Sequence, residues 1–127
     1  MAYIDSSALV KLVVEEAESG TMYRWWLEAE RVTTSRIAVI ETVRAAARRS
    51  HDPQHRDLVI DELEIIELDE AIAVRAAALQ PPSLRTLDAI HVASALPLLS
   101  ELDAFVTYDL RLAEAARALG LPVVSPA

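Results

Sequence analysis

Five short apolar runs alternate along the chain with longer segments of helical periodicity. The runs are Ala2–Asp5, Arg31–Thr34, Ile65–Leu68, Ala104–Thr107 and Leu121–Ser125. Short strands that alternate with helices predict βαβ units, and such units build a mainly parallel sheet with helices on both faces. We therefore expect an α/β fold with three layers, helix–sheet–helix, around a short central sheet.

The helical segments between the runs have recognisable ends. We expect helices over Ser6–Val14, Ser19–Glu30, Arg36–Ser50, Pro53–Leu63, Glu70–Leu79, a segment that ends at Leu96, and Asp109–Leu119. Ser6 or Ser7 is the expected N-cap of the first helix, Ser35 of the third and Asp69 of the fifth, because short oxygen-bearing side chains accept the free N–H groups there. Gly120 suits the end of the last helix.

Length and composition indicate one domain spanning residues 1–127 with a hydrophobic core, since 53% of the residues are hydrophobic. No apolar stretch approaches the roughly 20 residues that cross a bilayer. The chain has no cysteine, which excludes disulfides and thiolate metal sites. The N-terminus enters a strand without a basic leader. We expect a cytoplasmic protein that does not engage a membrane.

The charge balance limits how the chain can bind nucleic acid. Asp and Glu outnumber Lys and Arg by 20 to 12, for a net charge of −8, which disfavours binding through bulk charge. A nuclease that binds its substrate through metal ions and a local basic strip remains compatible. Between Arg31 and Arg56 there are six arginines against two acids, Glu41 and Asp52.

Two aspartates follow strand ends. Asp5 closes the first strand, and Asp109 comes two residues after the strand Ala104–Thr107. In α/β sheets, ligands bind at the carboxyl ends of the strands. Asp109 is also an ordinary helix N-cap, and Thr107 could orient it. Asp103 precedes its strand, so it belongs to the opposite edge and is rejected as a site residue.

Asp88 lies in a segment, Leu87–Leu96, that is apolar nearly all round and therefore typical of a buried helix. A carboxylate there costs several kcal/mol unless it is paired, protonated or bound to a metal. The alternative is that Asp88 helps to cap the first turn of its own helix. His91, three residues on, could hydrogen-bond Asp88 or simply pack in the core.

Glu41 is at the border of a helix face on which we expect Val39, Ile40 and Val43 to meet the core. It shares a stripe with Arg44 and Arg48. Two roles remain open, an ion pair with Arg44 worth a few tenths of a kcal/mol or a functional carboxylate.

Asp5, Asp88 and Asp109 can meet only if the first strand and the strand Ala104–Thr107 are neighbours in the sheet. Two carboxylates about 4 Å apart repel by roughly 4 kcal/mol at an effective dielectric near 20. A cluster of such groups therefore needs a cation. Hard divalent ions with oxygen ligands, Mg²⁺ or Mn²⁺, meet that need.

Four segments in this order resemble the PIN domain, with the VapC-type toxins of bacterial toxin–antitoxin pairs as the most similar subgroup. They are Tyr3-Ile4-Asp5-Ser6-Ser7-Ala8-Leu9-Val10-Lys11-Leu12, Glu41 in its Ile-rich helix, Leu87-Asp88-Ala89-Ile90-His91-Val92-Ala93-Ser94-Ala95 and Val106-Thr107-Tyr108-Asp109. The similarity extends to Gly120-Leu121-Pro122-Val123-Val124 and so covers essentially the whole chain.

The resemblance implies an Mg²⁺- or Mn²⁺-dependent endoribonuclease that forms a homodimer or a toxin–antitoxin hetero-oligomer and is silenced by its antitoxin. It implies Asp5 and Asp88 as principal metal ligands, with Asp109 and Glu41 completing the acidic catalytic set. Ser6 and Thr107 match hydroxyl positions that orient the set. The family often has a further acid after the fourth segment, and Leu110-Arg111-Leu112 offers none.

The mechanism this implies is metal-assisted hydrolysis of RNA phosphodiesters, with Glu41 or Asp109 positioning the water. Arg44 and Arg48, with Arg36 or Arg85, are candidates for phosphate contacts; ion pairing with surface acids is the alternative.

Two non-catalytic functions compete with this one. A receiver-like binding module would need paired acids near the first strand and a late lysine, whereas the only lysine is Lys11. A catalytically silent PIN-like module that only binds its partner is opposed by the complete acidic set.

Overall fold

The central sheet is parallel throughout and has five strands. In the computed structural model, which describes residues 1–127, these are β1 (Ala2–Ile4), β2 (Val32–Ser35), β3 (Glu64–Ile66), β4 (Ala104–Val106) and β5 (Val123–Val124). Their order is β3-β2-β1-β4-β5. Tyr3 aligns with Thr33 of β2 on one side and with Phe105 of β4 on the other. The predicted parallel α/β sheet is confirmed, and β1 is adjacent to β4.

Seven α-helices surround the sheet. They are α1 (Ser6–Val13), α2 (Ser19–Glu28), α3 (Arg36–Ala47), α4 (Pro53–Asp61), α5 (Glu70–Ala78), α6 (Thr86–Ala95) and α7 (Leu110–Ala118), and a 3₁₀ turn over Leu96–Glu101 follows α6. Each predicted helix is present with ends within three residues of those expected. None of the helices combines the length and apolar character needed to cross a membrane.

Side chains of β1 alternate between the two faces of the sheet, as the pleat of a strand requires. Ile4 joins a core that includes Leu9 and Val13 of α1 and Met22 of α2. Tyr3 faces the other way, into a second core with Phe105, Val92, Ala95, Leu112 and Leu121. Helices therefore cover both faces, and the three-layer arrangement is confirmed.

Most of the predicted caps are present, with one correction. Ser35 Oγ accepts from the Ala38 N–H at 3.1 Å, and Asp69 Oδ1 accepts from the Ile72 N–H at 2.9 Å. Gly120 follows α7 with a φ of 86°, which glycine adopts at little cost. The first helix is capped by Asp5 instead of Ser6 or Ser7, because the extended residue before the helix is Asp5 itself.

The buried face of α3 is also rotated relative to the prediction. Ala38, Val39, Thr42 and Ala46 are buried, whereas Ile40 is 49% exposed. α3 packs chiefly against α1, and most of its buried side chains are small, whereas the larger Ile40 faces outward. The rotation leaves Glu41 part-buried beside the carboxyl ends of the strands.

Candidate active site

A cavity of about 260 Å³ opens beyond the carboxyl ends of β1 and β4. Its lining includes Asp5, Glu41, Asp88 and Asp109, together with Ser6, Ser7, Arg85 and His91. The carboxylates arrive from four different elements: the end of β1, α3, the first turn of α6 and the loop after β4. The adjacency of β1 and β4 at the switch point of the sheet is what brings them together.

Asp5 is the most enclosed of these acids and is only 2% exposed. Its Oδ1 accepts from the Ala8 N–H at 3.0 Å, and its Oδ2 accepts from Thr107 Oγ1 at 2.6 Å. Ser7 Oγ lies 2.7 and 2.9 Å from the two carboxylate oxygens. All of these donors are neutral, so the carboxylate is oriented but its charge is not neutralised by a salt bridge.

Burial raises the pKa of the Asp5 carboxyl above its ordinary value of 3.8, while hydrogen bonds from Thr107, Ser7 and Ala8 oppose the rise. A raised pKa means that the folded protein holds the charged form of Asp5 less readily than the unfolded chain does. A cation bound nearby would favour that charged form.

Of the two predicted hydroxyls, Thr107 contacts Asp5 directly but Ser6 does not; Ser7 does so instead. Ser7 Oγ also accepts from the Tyr108 N–H at 2.8 Å. Thr107 Oγ1 accepts from the Asp109 N–H at 3.0 Å, which links the first and fourth sequence motifs. Ser6 lines the cavity without forming a hydrogen bond to a carboxylate, because successive helical residues point in different directions.

Asp88 and Asp109 share one cation, the guanidinium of Arg85. Arg85 Nε donates to Asp88 Oδ2 at 2.7 Å, and Nη2 lies 3.2 Å from Asp109 Oδ2. Asp88 is 6% exposed, so this pairing offsets part of the cost of its burial. Asp88 does not cap its own first turn. Asp109 does cap α7: its Oδ1 accepts from the Arg111 and Leu112 N–H groups.

Glu41 pairs with His91, not with Arg44. Its Oε1 lies 3.0 Å from His91 Nε2, and the other ring nitrogen lies 2.7 Å from the Tyr3 hydroxyl. His91 is 2% exposed and so is a core histidine, but it contacts Glu41 and not Asp88. The distance along the chain between Glu41 and His91 explains why the local pattern could not reveal their contact.

Only two of the six arginines in the basic strip are left without an ion pair. Arg31, Arg36, Arg49 and Arg56 pair with Glu64, Glu67, Glu16 and Asp57, respectively. Arg44 and Arg48 are exposed and line a second cavity of about 400 Å³. That cavity shares Ser6, Ser7 and Glu41 with the acidic one. Asp103, by contrast, binds the amino group of Met1 at 2.8 Å on the opposite edge of the sheet.

The donor set fits a hard divalent cation. Four carboxylates line the acidic cavity and only one guanidinium faces them, and oxygen donors suit Mg²⁺ or Mn²⁺. No three acidic or histidine side chains yet converge closely enough to hold an ion. Both oxygens of Asp109 are engaged, one by α7 and the other by Arg85. A metal ion bound through Asp109 would therefore compete with Arg85 for this carboxylate.

Comparisons with known proteins identify relatives in sequence and in fold. Ribonuclease VapC47 of Mycobacterium tuberculosis (strain CDC 1551 / Oshkosh) is 40% identical over 133 aligned positions, covering 99% of this chain and 97% of that protein. A toxin–antitoxin complex from Klebsiella pneumoniae superposes with a TM-score of 0.73 and 26% identity, covering 100% of this chain and 98% of that one.

The crystal structure of Mycobacterium tuberculosis VapC20, a sarcin–ricin loop cleaving toxin, shows the same fold, with a TM-score of 0.75 at 18% identity over 99% of this chain and all of that one. The family model of the PIN domain matches residues 2–118, from β1 through α7. With the parallel sheet, the four gathered carboxylates and relatives over nearly its full length, the chain belongs to the PIN-domain family.

Proposed function

We propose that this chain is a divalent-metal-dependent endoribonuclease, the toxin of a VapBC-like type II toxin–antitoxin pair, and that residues 1–127 act as one catalytic domain in the cytoplasm. The observation that carries the proposal is that four carboxylates from four different elements line one cavity at the switch point of the sheet. Relatives named as ribonucleases and a similar chain in a toxin–antitoxin complex support it.

Asp5, Asp88 and Asp109 are the proposed ligands of Mg²⁺ or Mn²⁺. When bound, such an ion lowers the pKa of a coordinated water and neutralises charge on the attacked phosphate. Ser7 and Thr107 hold Asp5 in place, since their hydroxyls lie within 2.9 Å of its oxygens. Of the four acids, Glu41 alone contacts neither Arg85 nor the hydroxyls that hold Asp5. We therefore assign the attacking water to Glu41.

Arg85 acts in this proposal as an internal counter-ion of the metal-free site. It bridges Asp88 and Asp109 while it remains about half exposed, so it can leave without opening the core. This role replaces the phosphate contact considered for Arg85 from the sequence. Arg36 is likewise committed, to Glu67.

Arg44 and Arg48 are the proposed contacts for the RNA backbone. Arg44 lies in the last turn of α3 and Arg48 directly follows that helix, and the cavity that they line is also lined by Glu41 and Ser7 of the acidic site. Phosphate binding by free arginines is independent of sequence and sensitive to salt. The patch therefore offers a local positive surface on a chain whose net charge is −8.

We extend the proposal to protein partners, a cognate antitoxin and a second copy of the toxin. The acidic surface suits an antitoxin segment that carries arginine. Apolar side chains on α2 add a surface for contact: Tyr23 is 43% and Leu27 is 68% exposed, whereas Met22 of the same helix is buried.

The experiment compares cleavage of a labelled RNA by purified wild type, Asp5→Asn and Asp88→Asn, in Mn²⁺ or Mg²⁺. Each substitution should lower the cleavage rate by at least about 100-fold, since each removes a charge from the proposed metal centre. Asp103→Asn is the matched control because it removes a carboxylate from the opposite edge of the sheet. Undiminished cleavage by either site variant would refute the proposal, and an inactive wild type would favour a family member that only binds its partner.

A further inference from the structure

A chain of hydrogen bonds runs from the core of the protein to Glu41. The Tyr3 hydroxyl lies 2.7 Å from His91 Nδ1, and His91 Nε2 lies 3.0 Å from Glu41 Oε1. Tyr3 is fully buried, and its ring stacks on Phe105 at 5.0 Å between centroids. The ring of His91 meets Tyr3 edge-on. The core thus fixes the plane of the imidazole from the side away from the cavity.

Glu41 defines the direction of one of these bonds, and the tautomer of the imidazole defines the other. A carboxylate only accepts, so His91 Nε2 carries a proton and donates it to Glu41. The Tyr3 hydroxyl lies 2.7 Å from Nδ1 and can donate its hydrogen to that nitrogen. In a neutral imidazole these two bonds require one tautomer, with the hydrogen on Nε2.

Glu41 differs from the three aspartates in how it is held. It projects from the side of α3 on a longer side chain, and 29% of that side chain is exposed. His91 is its only hydrogen-bonding partner, and its Oε2 has none within the chain. Without His91 the carboxylate would be free to rotate into solvent.

We propose that His91 is a positioning residue for the ribonuclease reaction, and that Tyr3 sets the tautomer and plane of its ring. His91 holds Oε1 of Glu41 so that Oε2 remains available to the attacking water. This inference rests on the proposed function and adds two residues, one of them deep in the core, to the machinery of that site.

The geometry of amide side chains provides a matched pair of variants. The amide nitrogen of Gln takes a place close to that of Nε2, whereas the amide of Asn corresponds more nearly to Nδ1. We expect His91→Gln to keep kcat within about threefold of wild type and His91→Asn to lower it at least about tenfold, with KM nearly unchanged in both, because general-base positioning contributes on this scale. Equal losses in the two variants, or a loss in KM alone, would overturn the proposal.

A double-mutant cycle with Glu41→Gln asks whether His91 acts through Glu41. His91→Asn should have almost no further effect on kcat in the Glu41→Gln background. The same fold-loss in both backgrounds would contradict the proposal. Tyr3→Phe, which keeps the ring and its stacking, is the variant to use if both histidine variants unfold; it should lower kcat several-fold in wild type and not in Glu41→Gln.

Nitrogen NMR of the imidazole in EDTA tests the arrangement without any catalysis. His91 should show a protonated Nε2 and an unprotonated Nδ1. The opposite tautomer would disprove the hydrogen-bond direction, even if the protein cleaves RNA. If the protein is inactive but has the expected tautomer, the proposed function is wrong, whereas the hydrogen-bond geometry around His91 is supported.

Discussion

Arg85 is the one guanidinium within an otherwise acidic cavity, and it contacts two of the proposed metal ligands. An arginine and a divalent cation that share ligands compete with each other, so the metal-free site is stabilised by a residue that metal binding must displace. The same guanidinium lowers the repulsion between Asp88 and Asp109 when no metal is present.

Arg85→Gln should therefore bind Mn²⁺ more tightly, roughly tenfold, since it removes both a competing ion pair and a positive charge near the metal. The same variant should melt at a lower temperature than wild type in EDTA. Calorimetric titration and thermal melts measure the two effects. Arg36→Gln, which breaks an exposed pair with Glu67, is the control. Weaker metal binding by Arg85→Gln would show that Arg85 orients Asp88 rather than competing for it.

Ser6 and Ser7 are a natural control pair, because they are neighbours and only Ser7 contacts Asp5. Ser7→Ala should lower the cleavage rate about tenfold and the stability by about 1 kcal/mol, since it frees the Asp5 carboxylate and leaves the Tyr108 N–H without its acceptor. Ser6→Ala should change both much less. Rate assays and urea unfolding measure the difference, and equal effects would contradict the assignment.

For single residues, the sequence predicts which side chains belong to the site better than it predicts which side chains contact each other. Asp88 is recognisable because a carboxylate in an apolar helix is costly, whereas its partner Arg85 was considered from the sequence only as a phosphate contact. Neither the choice of Ser7 over Ser6 nor the pairing of Glu41 with His91 follows from the sequence pattern alone. Both depend on helix rotation and on tertiary neighbours.

The secondary-structure elements determine where the carboxylates lie. Asp5 and Asp109 each follow a strand and cap a helix, so the backbone places them at the carboxyl edge before any ligand binds. The caps at Ser35 and Asp69 were equally predictable, because capping is a local property. The buried face of α3 was not, since which side of the helix is buried depends on the tertiary neighbours of α3 and not on its own sequence.

Asp109 serves as both an N-cap and a proposed ligand, and two substitutions separate the roles. Asp109→Asn should keep most of the stability, because an amide oxygen can still cap α7, but should lose most of the cleavage rate. Asp109→Ala should lose the rate and about 1 kcal/mol of stability as well. Asp69→Ala, which removes the cap of α5 far from the cavity, should cost similar stability with normal cleavage. Urea unfolding measures the stability of all three variants, and RNA-cleavage assays measure their rates. Any other combination of stability and rate would contradict the two roles assigned to Asp109.

In the whole molecule, the sheet order is what turns separate acids into a site. The alternation of strands and helices predicted a parallel sheet, but β1 and β4 are about 100 residues apart in the chain, and only the tertiary structure shows that they pair. From the sequence, that adjacency is only a condition that must hold for Asp5, Asp88 and Asp109 to meet.

The buried charge of Asp5 should make the metal-free protein sensitive to pH. Because the pKa of Asp5 is raised in the folded state, the folded protein binds more protons than the unfolded chain at pH values above the ordinary 3.8. Stability contributed by Asp5 therefore falls as pH rises from there through the folded-state pKa.

In EDTA, Asp5→Asn should gain stability relative to wild type as pH increases from about 4 to about 7, because the variant has no proton to lose. Urea unfolding across that range measures the difference, and Asp61→Asn, an exposed acid on α4, is the control. Added Mg²⁺ should shrink the gain by stabilising wild type alone. A stability difference between Asp5→Asn and wild type that does not change with pH would show that Asp5 is not the source of the pH dependence.

The central claim is that these carboxylates bind a divalent ion that RNA cleavage requires. Wild-type protein dialysed against EDTA is titrated with Mn²⁺ or Mg²⁺ while metal binding and RNA cleavage are followed on the same sample. We predict no cleavage before metal is restored and a cleavage rate that rises in step with occupancy of the site. Full cleavage in excess EDTA, or metal binding that Asp5→Asn and Asp88→Asn leave intact, would contradict the account.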